Sequence, residues 1–192
     1  MPGTPFFEWP RPYVREFLGK PSGSGVFIAF AAVTFSFEEY STTLAEGVFS
    51  QLGYPLRSVH TVKDVIGMVE DAAFIVVGGG NTFALHSRVE QNGLLDVIRR
   101  RLTAGVPYVG WSAGANLACP TIMTTNDMPI VQPQSLHALN LVPFQINPHY
   151  HAFALLSDGA IIKQYSLSRR FLVKVMTFLT SGMTYPFLKE GA

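Results

Sequence analysis

Short apolar runs alternate with amphipathic stretches along most of this chain, and that alternation narrows the possible folds more than any other feature. "GVFIAF" is followed by "SFEEYSTTLAEGVFSQLG", in which Leu44, Val48 and Leu52 recur at helical spacing. The order repeats through "LRSVH", "TVKDVIGMVED", "AAFIVVGGG", "NTFALHSRVEQNGLLDVIRRRLTAG" and "VPYVGWSAGANLA". Each apolar run is too short and too uniform to be an amphipathic helix, so it reads as a strand covered on both faces. The pattern predicts an α/β fold: a doubly wound, mostly parallel sheet with helices on both faces. Ligands bind such sheets beyond the carboxyl ends of the strands. Two of those ends carry unusual loops, "GGGN" at Gly78 to Asn81 and "GWSAG" at Gly110 to Gly114.

With 192 residues, no internal repeat and no linker-like segment, the chain is expected to form a single domain over 1–192. Beyond Tyr150 the alternation loosens and turn signals fade. The 14 Lys and Arg against 13 Asp and Glu are scattered, so no basic face for phosphates forms and nucleic acid is not an expected partner. The longest uncharged run, "PSGSGVFIAFAAVTFSF", is broken by Gly, Ser and Thr and falls short of the ~20 apolar residues of a membrane span. It reads as core, and no membrane association is expected. The start "MPGTPFFEWPRP" does not read as a signal peptide, and the lone Cys119 excludes an internal disulfide; together they suggest a cytoplasmic protein. Cys119 itself reads as a small buried residue near the elbow helix.

A Gly-x-Ser-x-Gly run between a buried strand and a helix allows a sharp turn that lifts the serine hydroxyl clear, a nucleophile elbow. The helix start behind it offers unpaired N–H groups to developing negative charge. The competing reading of Ser112 is a plain helix cap. "GGGNTF" likewise reads as an oxyanion donor loop or as a tight turn with Asn81 as N-cap. It lacks the Lys and Ser/Thr of a phosphate-binding loop. A serine nucleophile needs a base. His60 follows a strand, His86 lies in a predicted helix and His137 sits in "QSLHAL", whereas His149 in "QINPHYHAF" follows a proline turn where another strand end is expected. His149 is the candidate and His151 the runner-up. For the acid that orients the base, Asp127, Asp158 and Glu190 are available, and spacing does not choose among them.

"FIVVGGGNTFAL", "YVGWSAGANLACPTIMTTNDMPIV" and "LNLVPFQINPHY" together closely resemble the peptidase E family of α-aspartyl dipeptidases, over about Phe27 to Tyr150. The resemblance implies a cytoplasmic serine peptidase with a fold similar to class I glutamine amidotransferase domains. It implies a Ser-His-Glu triad without metal or cofactor, and an Asp-X dipeptide as substrate. Carried over by position, Ser112 becomes the nucleophile and His149 the base, and the N–H groups of Gly79 and Ala113 become oxyanion donors. Asp127 in "TTNDMP" becomes an active-site residue, and Glu190 in "LKEGA" fits the segment that carries the triad acid. Asn81 and Arg169 are taken as substrate-binding, Arg169 for the substrate's aspartate carboxylate, although only this arginine of the family's segment survives in "SLSRRFLVKV". A homodimer is a possible assembly.

The chain begins with what looks like the segment after the family's first strand and stops just past Glu190, where the family continues through further strands. Lacking that first strand would leave a central hydrogen-bonding edge open. A catalytically inactive or truncated paralogue that binds a small acidic ligand or a protein partner is the alternative. A third reading, a cyanophycinase-like exopeptidase for β-aspartyl polymers, is opposed by the near match in "GWSAGANLACPTI".

Overall fold

A computed structural model of the chain describes residues 7–148, 161–168 and 171–178. The elements run α1 (Arg11–Leu18), β1 (Gly25–Ile28), α2 (Phe37–Ser41), β2 (Leu56–Ser58), α3 (Val65–Glu70), β3 (Ile75–Val77), α4 (Thr82–Gln91), α5 (Leu94–Thr103), β4 (Tyr108–Trp111), α6 (Ala113–Ala118), β5 (Ile161–Ser168) and β6 (Phe171–Phe178). The six strands form one sheet in the order β2-β1-β3-β4-β6-β5. All pairings are parallel except that of β5 with β6. β2 is an edge of three residues.

Strand residues alternate between two apolar layers. Val26, Ile28, Ile75, Val77 and Tyr108 face the cluster built by α3 to α6, whereas Phe27, Ala29, Val76, Val109 and Trp111 face the cluster built by α1 and the segment after β1. Both faces of the sheet are therefore covered, which is why these strands read as continuous apolar runs rather than alternating ones. The expected α/β architecture is present. β1, β3 and β4 each have a neighbour on both sides, the place beside β4 being taken by β6, so the open central edge expected from the sequence is not found among these strands.

Two predicted helices depart from expectation. The segment after β1 starts as α2 under a capping box, in which the Ser36 hydroxyl accepts from Glu39 N (3.1 Å) and the Glu39 carboxylate accepts from Ser36 N (2.9 Å). It then widens into a π-helical stretch, Thr42–Phe49. The wider winding keeps Tyr40, Leu44, Val48 and Phe49 all buried against the sheet. The long amphipathic run after "GGGN" is two helices, because Asn92 folds its amide onto the Arg88 carbonyl (2.8 Å) and Gly93 takes the left-handed region at φ 65°. Both halves pack on the same cluster, so the break leaves the apolar periodicity nearly unbroken.

Arg88 braces the loop that leaves β1. Its Nη1 donates to the Phe30 and Ala32 carbonyls at 2.6 and 2.8 Å, and its guanidinium lies 5.2 Å from the centre of the Phe37 ring. No helix among the described residues is long and apolar enough to cross a membrane.

Candidate active site

Ser112 sits between β4 and α6 with φ 51° and ψ −115°, one of three described non-glycine residues at positive φ. That conformation costs on the order of 1–3 kcal/mol for a residue with a Cβ and persists only where the surroundings enforce it. The surroundings here are specific. A Cβ on Gly114 would collide with the Val77 carbonyl oxygen at the end of β3, and one on Gly110 would meet the Tyr108 ring at 2.7 Å and the Gly114 carbonyl oxygen at 2.9 Å. Tyr108 folds its phenol back over Gly110 and donates to the Gly114 carbonyl at 2.7 Å. Burial pushes that phenol well above the ordinary tyrosine range, so it stays a donor. The glycines are thus required by close backbone approach, as the elbow reading demands.

The Ser112 carbonyl opens α6 by accepting from Ala115 N (2.9 Å) and Asn116 N (3.1 Å), but the Ser112 side chain makes no cap bond to the helix. The plain-cap reading of Ser112 therefore fails. Asn81 is the opposite case: its Oδ1 accepts from Ala84 N at 3.0 Å, capping α4, and its Nδ2 donates to the Met128 carbonyl at 2.8 Å. Both ends of this amide are engaged by the scaffold. Replacing Asn81 by Ala is expected to cost about 1–2 kcal/mol, read as a lowered thermal midpoint.

The glycine loop runs directly beside the elbow. Gly80 takes φ 132° where a Cβ would strike the Ala31 carbonyl oxygen, which already accepts from Asn81 N at 2.9 Å, and Gly78 passes so close to Tyr40 that a Cβ would lie 2.5 Å from its hydroxyl. Because Gly114 rests on Val77, the residue before Gly78, the structure brings the "GGGN" and "GWSAG" loops together at the carboxyl ends of adjacent strands β3 and β4.

Asp127 joins them from a distant part of the chain. Its Oδ2 accepts from Thr82 N at 2.7 Å and from the Thr125 hydroxyl at 3.0 Å, and the Thr125 and Thr82 hydroxyl oxygens lie 3.0 Å apart. The carboxylate therefore lies on the first turn of α4, where the helix dipole favours negative charge. The Asn116 amide donates to the same Thr82 hydroxyl at 3.3 Å, tying α6 into the group. Thr82, Asn116, Thr124 and Thr125 were not singled out from the sequence. Asn116 is the one that carried a signal, a polar residue inside the otherwise small and apolar "AGANLA".

His149, His151, Asp158, Arg169 and Glu190 lie outside the described residues. The other three histidines have structural partners. His60 accepts or donates between Ser58 Oγ (Nδ1, 2.7 Å) and Glu38 Oε2 (Nε2, 2.9 Å), a Ser-His-Glu run whose serine is buried at the end of edge strand β2. It ties α2 to β2. His86 is fully buried, with Nε2 at 2.8 Å from the His137 carbonyl and Nδ1 3.4 Å from the Glu90 carboxylate, which accepts from the backbone amides of Gln134 and Ser135. His137 supplies that carbonyl. Cys119 is buried, as expected, and loss of hydration pushes its thiol up to about 11. Among the described residues no group of three or more His, Cys, Asp or Glu could hold a metal ion.

The chain is 47% identical over 148 residues to a peptidase E of Nostoc sp., covering 77% of this chain and 61% of that protein. It is also 47% identical over 150 residues to a peptidase E of Escherichia coli, covering 78% and 65%. The chain thus spans just over three-fifths of the length of these curated relatives. A crystal structure from Listeria monocytogenes EGD-e, described as a candidate peptidase E, superposes with a TM-score of 0.60 at 32% identity, covering 73% of each chain. A peptidase from an acI-B1 actinobacterium shares the fold with a TM-score of 0.53 at 19% identity, covering 69% of this chain and 59% of that one. The model of peptidase family S51 matches residues 1–169, and with an elbow serine set between two glycines beside a triple-glycine loop, the chain belongs to that family.

Proposed function

We propose that this chain carries the active centre of a serine dipeptidase that removes N-terminal aspartate from Asp-X dipeptides. The observation that carries the reading is Ser112, held at positive φ with a hydroxyl that does not cap its helix. In the proposed mechanism His149 takes the Ser112 proton as the serine oxygen attacks the carbonyl of the aspartyl residue. The N–H groups of Gly79 and Ala113 hold the resulting oxyanion. His149 then protonates the leaving amino acid, and the acyl-enzyme ester is hydrolysed by a water that gives its proton to the same imidazole. Glu190 orients the imidazole. Arg169 pairs with the substrate's side-chain carboxylate, since an unpaired buried charge is costly. Asp127 belongs to the active centre as an anion fixed on α4, and Asn81 serves the substrate site through the loop it tethers. No cofactor takes part. The reading places the protein in the cytoplasm and allows a homodimer.

A panel of Asp-Leu, Asn-Leu, Glu-Leu and β-Asp-Leu tests the substrate. Asp-Leu is expected to be cleaved at least about 100-fold better than Asn-Leu, because the site would leave a guanidinium unpaired with the amide. Preference for β-Asp-Leu would move the assignment to the β-aspartyl peptidases. A raised melting temperature with Asp-Leu and no free aspartate would favour the binding-only paralogue.

A further inference from the structure

We infer that Thr124 is a positioning residue, which holds the segment ending at Pro148 in place beside the elbow helix; the inference rests on the serine-peptidase reading above. Asn116 stands one turn past Ser112, with its backbone N–H on the Ser112 carbonyl at 3.1 Å. Its side chain is 2% exposed in a helix of alanine, glycine and leucine. A primary amide has four hydrogen-bonding sites, and a buried one must find partners or lose stability. On one side it donates to Thr82 of α4 at 3.3 Å, and on the other its Oδ1 lies 3.3 Å from the Thr124 hydroxyl. Thr124 in turn donates to the Ile146 carbonyl at 2.6 Å, the shorter of its two contacts and so the dominant one.

Ile146 is fixed through its other backbone group as well, because its N–H donates to the Cys119 sulfur at 3.2 Å. Cys119 closes α6, and its thiol donates to the Ala115 carbonyl at 3.3 Å. Asn126 adds a bond to the next residue, Asn147, at 3.0 Å. The chain around Ile146 is therefore held by Cys119 at the end of the elbow helix and by Thr124 and Asn126 in the segment after it, rather than by a sheet ladder. His149 follows Ile146 by three residues, which span at most about 10 Å, so where Ile146 is held limits the room open to His149. Pro148 narrows that room further by fixing its own φ. A misplacement of about 1 Å between reacting groups costs on the order of 100-fold in rate.

Thr124→Val keeps the shape and removes the hydroxyl, and Thr124→Ser keeps the hydroxyl. Three readings are taken on wild type and both variants: kcat and KM with Asp-Leu, the rate of Ser112 labelling by a fluorophosphonate, and amide hydrogen exchange over 141–148. Thr124→Val is expected to lower kcat and the labelling rate by about 10- to 100-fold, with KM within about threefold, and to speed exchange at Ile146. Thr124→Ser is expected to restore all three. If Val at this position lowers the melting temperature but leaves kcat per folded molecule and labelling unchanged, Thr124 is only structural and the inference is overturned while the dipeptidase reading stands. Wild-type protein that neither labels nor hydrolyses overturns both. Should Thr124→Val not fold, Thr124→Ala, which admits water in place of the lost methyl and hydroxyl, carries the same comparison with Thr124→Ser.

Discussion

Ser112→Ala is expected to abolish release of aspartate from Asp-Leu, with a fall in kcat of about 10⁴-fold or more. Binding should survive, because the proposed oxyanion donors and the proposed charged partners of the substrate are untouched. Retained dipeptide stabilisation of the melting temperature would show this. Activity kept at more than a few per cent in a clean preparation would end the assignment of Ser112 as nucleophile. A companion variant separates chemistry from geometry. At φ 51° an alanine inherits the strain of the serine, whereas a glycine does not. Ser112→Gly should therefore be equally inactive yet more stable than Ser112→Ala by about 1 kcal/mol. Equal melting temperatures for the two would mean that the elbow is not under strain.

Gly114→Ala is expected to be a strongly damaging single-methyl change in the site. The added carbon would collide with the Val77 carbonyl oxygen, and it would also lie 3.0 Å from the Val77 carbonyl carbon and 3.1 Å from its Cβ. These are mostly backbone atoms of a central strand, so nothing nearby can swing aside. Overpacking of this kind costs up to about 3 kcal/mol, which for a chain of this length lowers the thermal midpoint by about 6–12 °C. The helix must also shift away from β3, separating the elbow from the glycine loop, so kcat should fall even where the variant remains folded. A normal melting temperature with normal turnover would show that α6 does not rest on β3 as described.

The contrast between these two glycine-flanked loops and the rest of the site explains what the sequence could reveal. The strands were legible because a strand covered on both faces must be apolar throughout, and "FIVV" and "PYVGW" satisfy that within a few residues. The elbow was legible because its chemistry is local: glycine, serine and glycine within five positions. The break between α4 and α5 was not, since one apolar stripe serves both helices and only Asn92-Gly93 marks the turn. Of the two readings of "GGGN", the structure shows the tight turn, with Asn81 capping α4 and the glycines in close approach to Ala31 and Tyr40. The contact of Asp127 with the Thr82 amide was not legible from spacing, because the two are 45 positions apart. Asn116 shows the same limit. A buried amide announces that it needs partners but not which ones, and its contact with Thr82 spans 34 positions. Such pairings follow from topology, which the periodicity of the chain fixes only in outline.

The shortness of β2 bears on how the molecule behaves in a crowd. An edge strand is a template for another chain, offering unpaired amide and carbonyl groups in register. Here the outer strand on that side is three residues long, beyond which the backbone leaves the sheet for a short turn at Val59–Thr61. The Ser58–His60–Glu38 connection stands at that exit. A rim of this length offers too few ladder positions to hold an incoming strand, so this side of the sheet resists the edge-to-edge pairing that seeds aggregates.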